Sequence, residues 1–213
     1  DNSPEKVING ICLYSKNTQN IFYKIFGDSE KIKEIIPKSL PQSSFEIIHT
    51  KNEVKGTDSA LSAAKRGKET SMWLAIDSVK NKESDIIISA GNTGALFIIA
   101  KLNLKMIENI DKPALSGLWP NKNGTNIVLD LGANVECNEK NLIDFSLMGS
   151  ALFKALFPDQ NPKVALLNIG SEEIKGNEII KNTYKNIFVY KTLIIFTIFG
   201  GNPSKTTCKC MIF

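Results

Sequence analysis

The sequence predicts an α/β fold: a mostly parallel sheet with helices on both faces. Three observations carry this. Strand-like apolar runs alternate with stretches of helical periodicity along the chain. The strongest runs, Ile86-Ile87-Ile88 and Val164–Leu167, are apolar at consecutive positions, the pattern of strands buried on both faces. Three runs pass directly into short polar segments that contain glycine, as strand-to-helix connections do. No internal repeat or low-complexity linker divides the pattern, so one α/β domain is expected.

In chain order, Ile21–Phe26 is a short apolar run ending at Gly27-Asp28, and Ser29–Ile36 reads as a helix stopped by Pro37. Phe45–His49 is a short strand. Ser59–Lys65 and Ser71–Val79 are helical, with Thr70 as N-cap of the second. Asp85–Ser89 is expected as a fully buried strand, followed by a helix over Thr93–Lys105. Ala114–Leu118 and Asn126–Leu131 are strands. Glu139–Phe157 is a long helix in which Leu142, Phe145, Leu147, Leu152 and Leu156 supply the apolar spacing. Lys163–Ile169 is another buried strand, and Glu172–Ile187 is helical.

Composition narrows the classes. The chain has 213 residues, 42% apolar and 23% charged, which is ordinary for a folded globular protein and far from disorder. No run of 18 or more apolar residues is present, so no membrane-spanning helix is expected, and the polar start Asp1–Lys6 shows no secretory signal. The 26 basic residues against 22 acidic ones give a net charge of +4, and only one of the basic residues, Arg66, is arginine. Nucleic-acid binders lean on arginine, and these lysines are dispersed, so no nucleic-acid partner is expected. A rich supply of Ile, Asn and Lys with almost no Arg is what an AT-rich genome produces. The four cysteines, Cys12, Cys137, Cys208 and Cys210, form no CxxC pair, and the single histidine, His49, is remote from them. No metal site is expected, and a reducing cytoplasmic compartment is the default. Cys12 and Cys137 read as structural cysteines, and His49 as a surface or capping residue.

Chemistry concentrates after the strand-like runs. Asp85–Ser89 leads into Ala90-Gly91-Asn92-Thr93-Gly94-Ala95, Ile127–Leu129 into Asp130-Leu131-Gly132-Ala133-Asn134, and Val164–Leu167 into Asn168-Ile169-Gly170-Ser171-Glu172-Glu173. In open α/β sheets ligands bind beyond the carboxyl ends of the strands. Glycine lets backbone N–H groups approach a ligand, and a following helix N-terminus favours an anion. Two readings are open at this point: an anion-binding crevice formed by three loops, or three ordinary turns with capping residues. The patterns GxxxxGK[ST], GxGxxG and GxSxG are all absent, which gives no support to a P-loop, a dinucleotide fingerprint or a hydrolase nucleophile elbow.

The same three segments resemble the signatures of a known family. Asp85-Ile-Ile-Ile-Ser-Ala-Gly-Asn-Thr-Gly-Ala-Leu96, Val128-Leu-Asp-Leu-Gly-Ala-Asn-Val-Glu-Cys137 and Leu166-Leu-Asn-Ile-Gly-Ser-Glu-Glu-Ile-Lys-Gly-Asn-Glu178 are similar to motifs of the PlsX family, acyl-ACP:phosphate acyltransferases of bacterial phospholipid synthesis. Thr70-Ser71-Met72, Lys112-Pro113-Ala114-Leu115 and Phe145–Ala151 support the match, which runs in order from residue 1 to about residue 187. Two departures stand out. Asp1 corresponds to the last residue of the family's opening Asp-Ala-Met-Gly-Gly-Asp, so the family's first strand is expected to lie outside this chain. The tail over 188–213 has no counterpart to the family's later Thr-Asp-Gly-Phe-Thr-Gly-Asn loop and reads as a shifted frame. An incomplete PlsX-like domain over 1–187 and a divergent tail over 188–213 are therefore expected.

The resemblance implies a fold similar to phosphate acetyltransferase and to the isocitrate/isopropylmalate dehydrogenases. It implies transfer of a fatty acyl group from the thioester of acyl carrier protein to inorganic phosphate, giving acyl phosphate. A homodimer is implied, cytoplasmic and associated peripherally with the inner face of the cell membrane. Attack of a phosphate oxygen on a thioester needs a held phosphate, a cation and donors aimed at the developing oxyanion. It requires no cofactor, no metal and no covalent enzyme intermediate.

On that implication, Asn92, Thr93, Asp130 and Lys175 are the expected catalytic residues. Gly91, Gly94, Gly132, Asn134, Asn168, Gly170, Glu172 and Glu173 are expected to bind phosphate or substrate. Gly91–Gly94 would cradle phosphate or the carbonyl, the alternative being a helix cap by Asn92 or Thr93. Asp130 and Asn134 would orient the substrate or an opposing loop, the alternative being a brace for backbone amides. Lys175 would be the phosphate cation, held by Glu172 or Glu173, and Asn168 a carbonyl donor; the alternative for the charged residues is a solvated first helical turn. Two rival functions remain: an inactive truncated remnant, and a non-catalytic module that binds acyl carrier protein through dispersed lysines. Cys210-Met-Ile-Phe213 matches a prenylation box in form only.

Overall fold

A computed structural model describes residues 3–18, 20–122, 124–168, 177–187, 197–198 and 210–212. The chain divides into two compact units, Asp1–Lys105 and Met106–Phe213.

The first unit opens with α1 (Glu5–Ser15), a helix that the sequence reading did not include. Its buried residue Ile8 packs with Ile25 of β1 (Tyr23–Gly27) and Ile32 of α2 (Ser29–Ile35). The strand β2 (Phe45–His49) pairs parallel to β1, with Tyr23 opposite Phe45 and Gly27 opposite His49. Three helices follow: α3 (Ala60–Lys65), α4 (Ser71–Lys80) and α5 (Thr93–Leu104). Each begins at a polar cap. Ser59 Oγ accepts from Ser62 N at 3.1 Å, Thr70 Oγ1 from Trp73 N at 3.3 Å and Asn92 Oδ1 from Ala95 N at 3.0 Å. Ala63, Met72, Ile76, Ala95 and Ile99 then bury against one another as a second small core.

The segment Asp85–Ser89 corrects the expectation of a buried strand. Its backbone joins no ladder among the described residues, and Ile86 and Ile88 are 75% and 84% exposed. Only Ile87 packs, against the Ala63–Ile99 core. Three isoleucines favour extended backbone, but a strand forms only where a neighbour supplies paired N–H and C=O groups.

In the second unit, β3 (Ser116–Asn121) and β4 (Gly124–Leu129) form an antiparallel hairpin, with Asn121 opposite Gly124. The long α6 (Glu139–Leu156) covers the sheet, followed by β5 (Val164–Asn168) and α7 (Glu178–Ile187). Two short strands, β6 (Thr197–Ile198) and β7 (Cys210–Ile212), complete a five-stranded sheet of order β3-β4-β7-β5-β6. All its pairings except β3–β4 are parallel. Residues 210–212 thus lie between β4 and β5.

Ile127, Leu129, Leu142, Phe145, Phe153, Val164, Leu166 and Ile187 form this unit's core. The helical periodicity of α6 holds, but its buried apolar face runs through Leu142, Phe145, Gly149 and Phe153. Leu147, Leu152 and Leu156, which the spacing argument included, are exposed. Among the described residues no helix is long and apolar enough to cross a membrane.

Candidate functional site

The turn before α5 is built by Asn92. Its side chain has a carbonyl and an amide end, and the fold uses both. Oδ1 caps α5 at Ala95 N. Nδ2 donates to the carbonyl of Asp58 at 2.8 Å and lies 3.3 Å from those of Lys55 and Gly56. Asn92 is therefore the cap that the sequence offered as one alternative, and it is also a tie to a loop 34 residues away. Thr93 and Gly94, the first two residues of α5, are exposed, and their N–H groups have no carbonyl four residues back within the helix. Gly91 is exposed too and donates its N–H to Ser89 Oγ at 3.3 Å. A side chain at Gly91 would bring its Cβ to 3.3 Å from Met72 Cε, so glycine lets the turn pack closely on that core methionine. The turn thus holds its backbone with side-chain ties, and its exposed residues Thr93 and Gly94 stand at the positive end of a helix.

The turn after β4 is built by Asp130, which is buried and has φ of 60°, in the left-handed region that Asp tolerates better than most residues. Its Oδ1 accepts from Asn134 Nδ2 at 2.8 Å and Asn134 N at 3.2 Å, and its Oδ2 accepts from the Cys137 thiol at 3.2 Å. Asn134 Nδ2 also reaches the carbonyl of Pro113 at 3.0 Å. Gly132 takes φ of 77° and donates its N–H to the Asp130 carbonyl at 2.7 Å. A capping box follows at once: Asn138 Oδ1 accepts from Asn141 N and Asn141 Oδ1 from Asn138 N, starting α6. Both oxygens of Asp130 brace the turn.

Burial pushes the Cys137 thiol up from its ordinary value of 9.0 to about 11, and the Asp130 carboxylate adds to this by accepting its proton and repelling a thiolate. Cys137 is thus a protonated hydrogen-bond donor at neutral pH, not a nucleophile.

Of the third loop, Asn168 ends β5, and its side chain is not among the described features. Gly170, Glu172, Glu173 and Lys175 lie outside the described residues. His49 is placed as a cap: its Nδ1 accepts from Ser29 N at 3.1 Å and lies 2.9 Å from Ser29 Oγ, at the start of α2. Among the described residues no group of three or more His, Cys, Asp or Glu side chains could hold a metal. The sequence reading missed Asp58 and Arg66. They surround the loop that receives Asn92, and the one available signal was that Arg66 is the single arginine.

Comparison with known proteins decides the family. A family model described as "Fatty acid synthesis protein" matches residues 1–200. The chain belongs to this family, that of PlsX. Similar proteins include the phosphate acyltransferase of Pelagibacter ubique, 71% identical over 187 residues, which are 88% of this chain and 56% of the relative. The phosphate acyltransferase of Parvibaculum lavamentivorans is 45% identical over 184 residues, 85% of this chain and 51% of the relative. The chain spans about half the length of the curated relatives it matches. Among solved structures, the EutD phosphotransacetylase of Staphylococcus aureus aligns with a TM-score of 0.61 at 18% identity, covering 91% of this chain and 64% of that one. That likeness establishes the α/β fold expected from the sequence.

Proposed function

We propose that this PlsX-family chain takes part in transferring a fatty acyl group from acyl carrier protein to inorganic phosphate, giving acyl phosphate for phospholipid synthesis. The observation that carries the reading is its 71% identity over 187 residues to a phosphate acyltransferase. In the reaction a phosphate oxygen attacks the thioester carbonyl carbon and the C–S bond breaks. The thiolate leaves and takes a proton from solvent, and its low basicity makes a strong general acid unnecessary.

In this reading the residues that act on the substrates come from the three glycine loops. The N–H groups of Thr93 and Gly94, with the Thr93 hydroxyl, hold phosphate or the developing oxyanion. Gly91 lets the turn pack closely on Met72. Asn92 acts through the backbone it ties, since its amide and carbonyl are both engaged. Asp130, Gly132 and Asn134 set the shape of the second turn. Lys175 supplies the phosphate cation with Glu172 or Glu173 holding it, Asn168 is a carbonyl donor, and Gly170 belongs to the substrate-binding set. A homodimer, a cytoplasmic location and peripheral association with the membrane's inner face belong to the same reading.

The test is thiol release from acyl-ACP across a phosphate titration. Release that rises and saturates with phosphate is expected. A rate indifferent to phosphate overturns the reading, and carrier-protein binding without turnover replaces it with a binding module.

A further inference from the structure

We propose that Arg66 is a positioning residue for the Gly91–Gly94 turn, acting through Asp58 and Asn92. Three links join them, all within the first unit. Arg66 grips Asp58 with a two-pronged contact, Nη1 to Oδ2 at 2.9 Å and Nη2 to Oδ1 at 2.8 Å. Its Nη1 also donates to the Glu53 carbonyl at 3.0 Å, so one guanidinium closes the loop between Glu53 and Asp58. Within that loop Asp58 Oδ2 accepts from Lys55 N at 2.7 Å, and the Asp58 N–H returns to the Lys55 carbonyl at 3.1 Å. The carbonyls of Lys55, Gly56 and Asp58 are thereby gathered where the single amide group of Asn92 reaches all three. The other end of Asn92 holds Ala95 N and so the first turn of α5.

A second route reinforces the first. Asp58 and Arg66 bracket α3, whose Ala63 packs with Ala95 and Ile99 of α5. A side chain at Gly94 would bring its Cβ to 3.6 Å from Ala60 Cβ. Arg66 is thus coupled to the α5 N-terminus by packing and by hydrogen bonds that run through Asp58 and Asn92.

The geometry explains why arginine stands here in a chain whose other basic residues are all lysine. A guanidinium is a planar fork that matches both carboxylate oxygens and still reaches a carbonyl. An ammonium is a single point that cannot hold all three acceptors in this arrangement.

The experiment is a double-mutant cycle on the full chain with Arg66→Lys, which keeps the charge and removes the fork, and Asn92→Ser, which keeps a cap oxygen and removes the amide. Amide hydrogen exchange over residues 91–97 is read by mass spectrometry, with β1–β2 as the internal control. Each single change is expected to speed exchange over 91–97 by about three- to tenfold, and the double change to add little beyond the larger single effect. Wild-type exchange in Arg66→Lys, additive effects, or equal acceleration in β1–β2 overturns the proposal, the last because it marks general loosening. The link to phosphate rests on the proposed function and is read separately: the KM for phosphate should rise several-fold in Arg66→Lys while kcat changes less. An unchanged KM beside faster exchange overturns that link. Absence of phosphate-dependent release in the wild type overturns the acyltransferase reading, and exchange still decides the role of Arg66.

Discussion

The two glycine turns solve opposite problems. Before α5, Asn92 sends its amide to a distant loop and its carbonyl to the helix, and Thr93 and Gly94 are exposed in the helix's first turn. After β4, Asp130 draws Asn134, Cys137 and, through the Asn134 amide, Pro113 inward around a buried carboxylate. One turn is an open frame with donors to offer; the other is a closed knot whose acceptors are taken. Two motifs of similar composition can therefore do different things, because what matters is where each polar atom finds its partner.

The contrast is broken most strongly at the closed turn. Asp130→Ala strands the Asn134 and Cys137 donors and puts a methyl side chain at φ of 60°, so unfolding stability should fall by about 3 kcal/mol. Urea denaturation measures it. A loss well under about 1 kcal/mol would show that the turn does not depend on its carboxylate.

At the open turn, Asn92→Ala removes a cap and the tie to the Lys55–Asp58 loop. A loss of about 1–2 kcal/mol is expected, visible in the same denaturation and as faster exchange at Ala95. A loss as large as that of Asp130→Ala would erase the distinction between frame and knot.

The smallest effect is a pH dependence confined to the closed turn. The Cys137 thiol ionises near 11 when folded and near 9.0 when not. Between those values the unfolded chain has lost the proton that the folded chain keeps, so this contribution to stability, present below about pH 9, falls as pH rises towards 11. Cys137→Ala should flatten that part of the stability profile. Alkylation of the native thiol should be slow at pH 8 and accelerate as pH approaches 11.

Helix starts were the most legible part of the sequence. Thr70 and Asn92 stand directly before helical periodicity, and capping is a contact between residues two or three apart, so local order reveals it. The β2 strand also matches its expected bounds. What failed was strand pairing. Asp85–Ser89 has the composition of a buried strand but lacks a ladder among the described residues, and composition carries no information about a partner. The α6 face failed for a related reason: several leucine spacings satisfy helical periodicity, and only the sheet beneath selects Leu142, Phe145 and Phe153.

By itself the sequence determined the α/β class, the family and the two glycine turns, because these rest on residues adjacent in the chain. Tertiary structure alone decided that Asn92 is a tie as well as a cap, that Asp130 is a brace, and that Arg66 grips Asp58. Those roles depend on partners 34, 7 and 8 residues away. A side chain's polar atoms reveal their function only when folding has fixed which of them are satisfied and which remain to be offered.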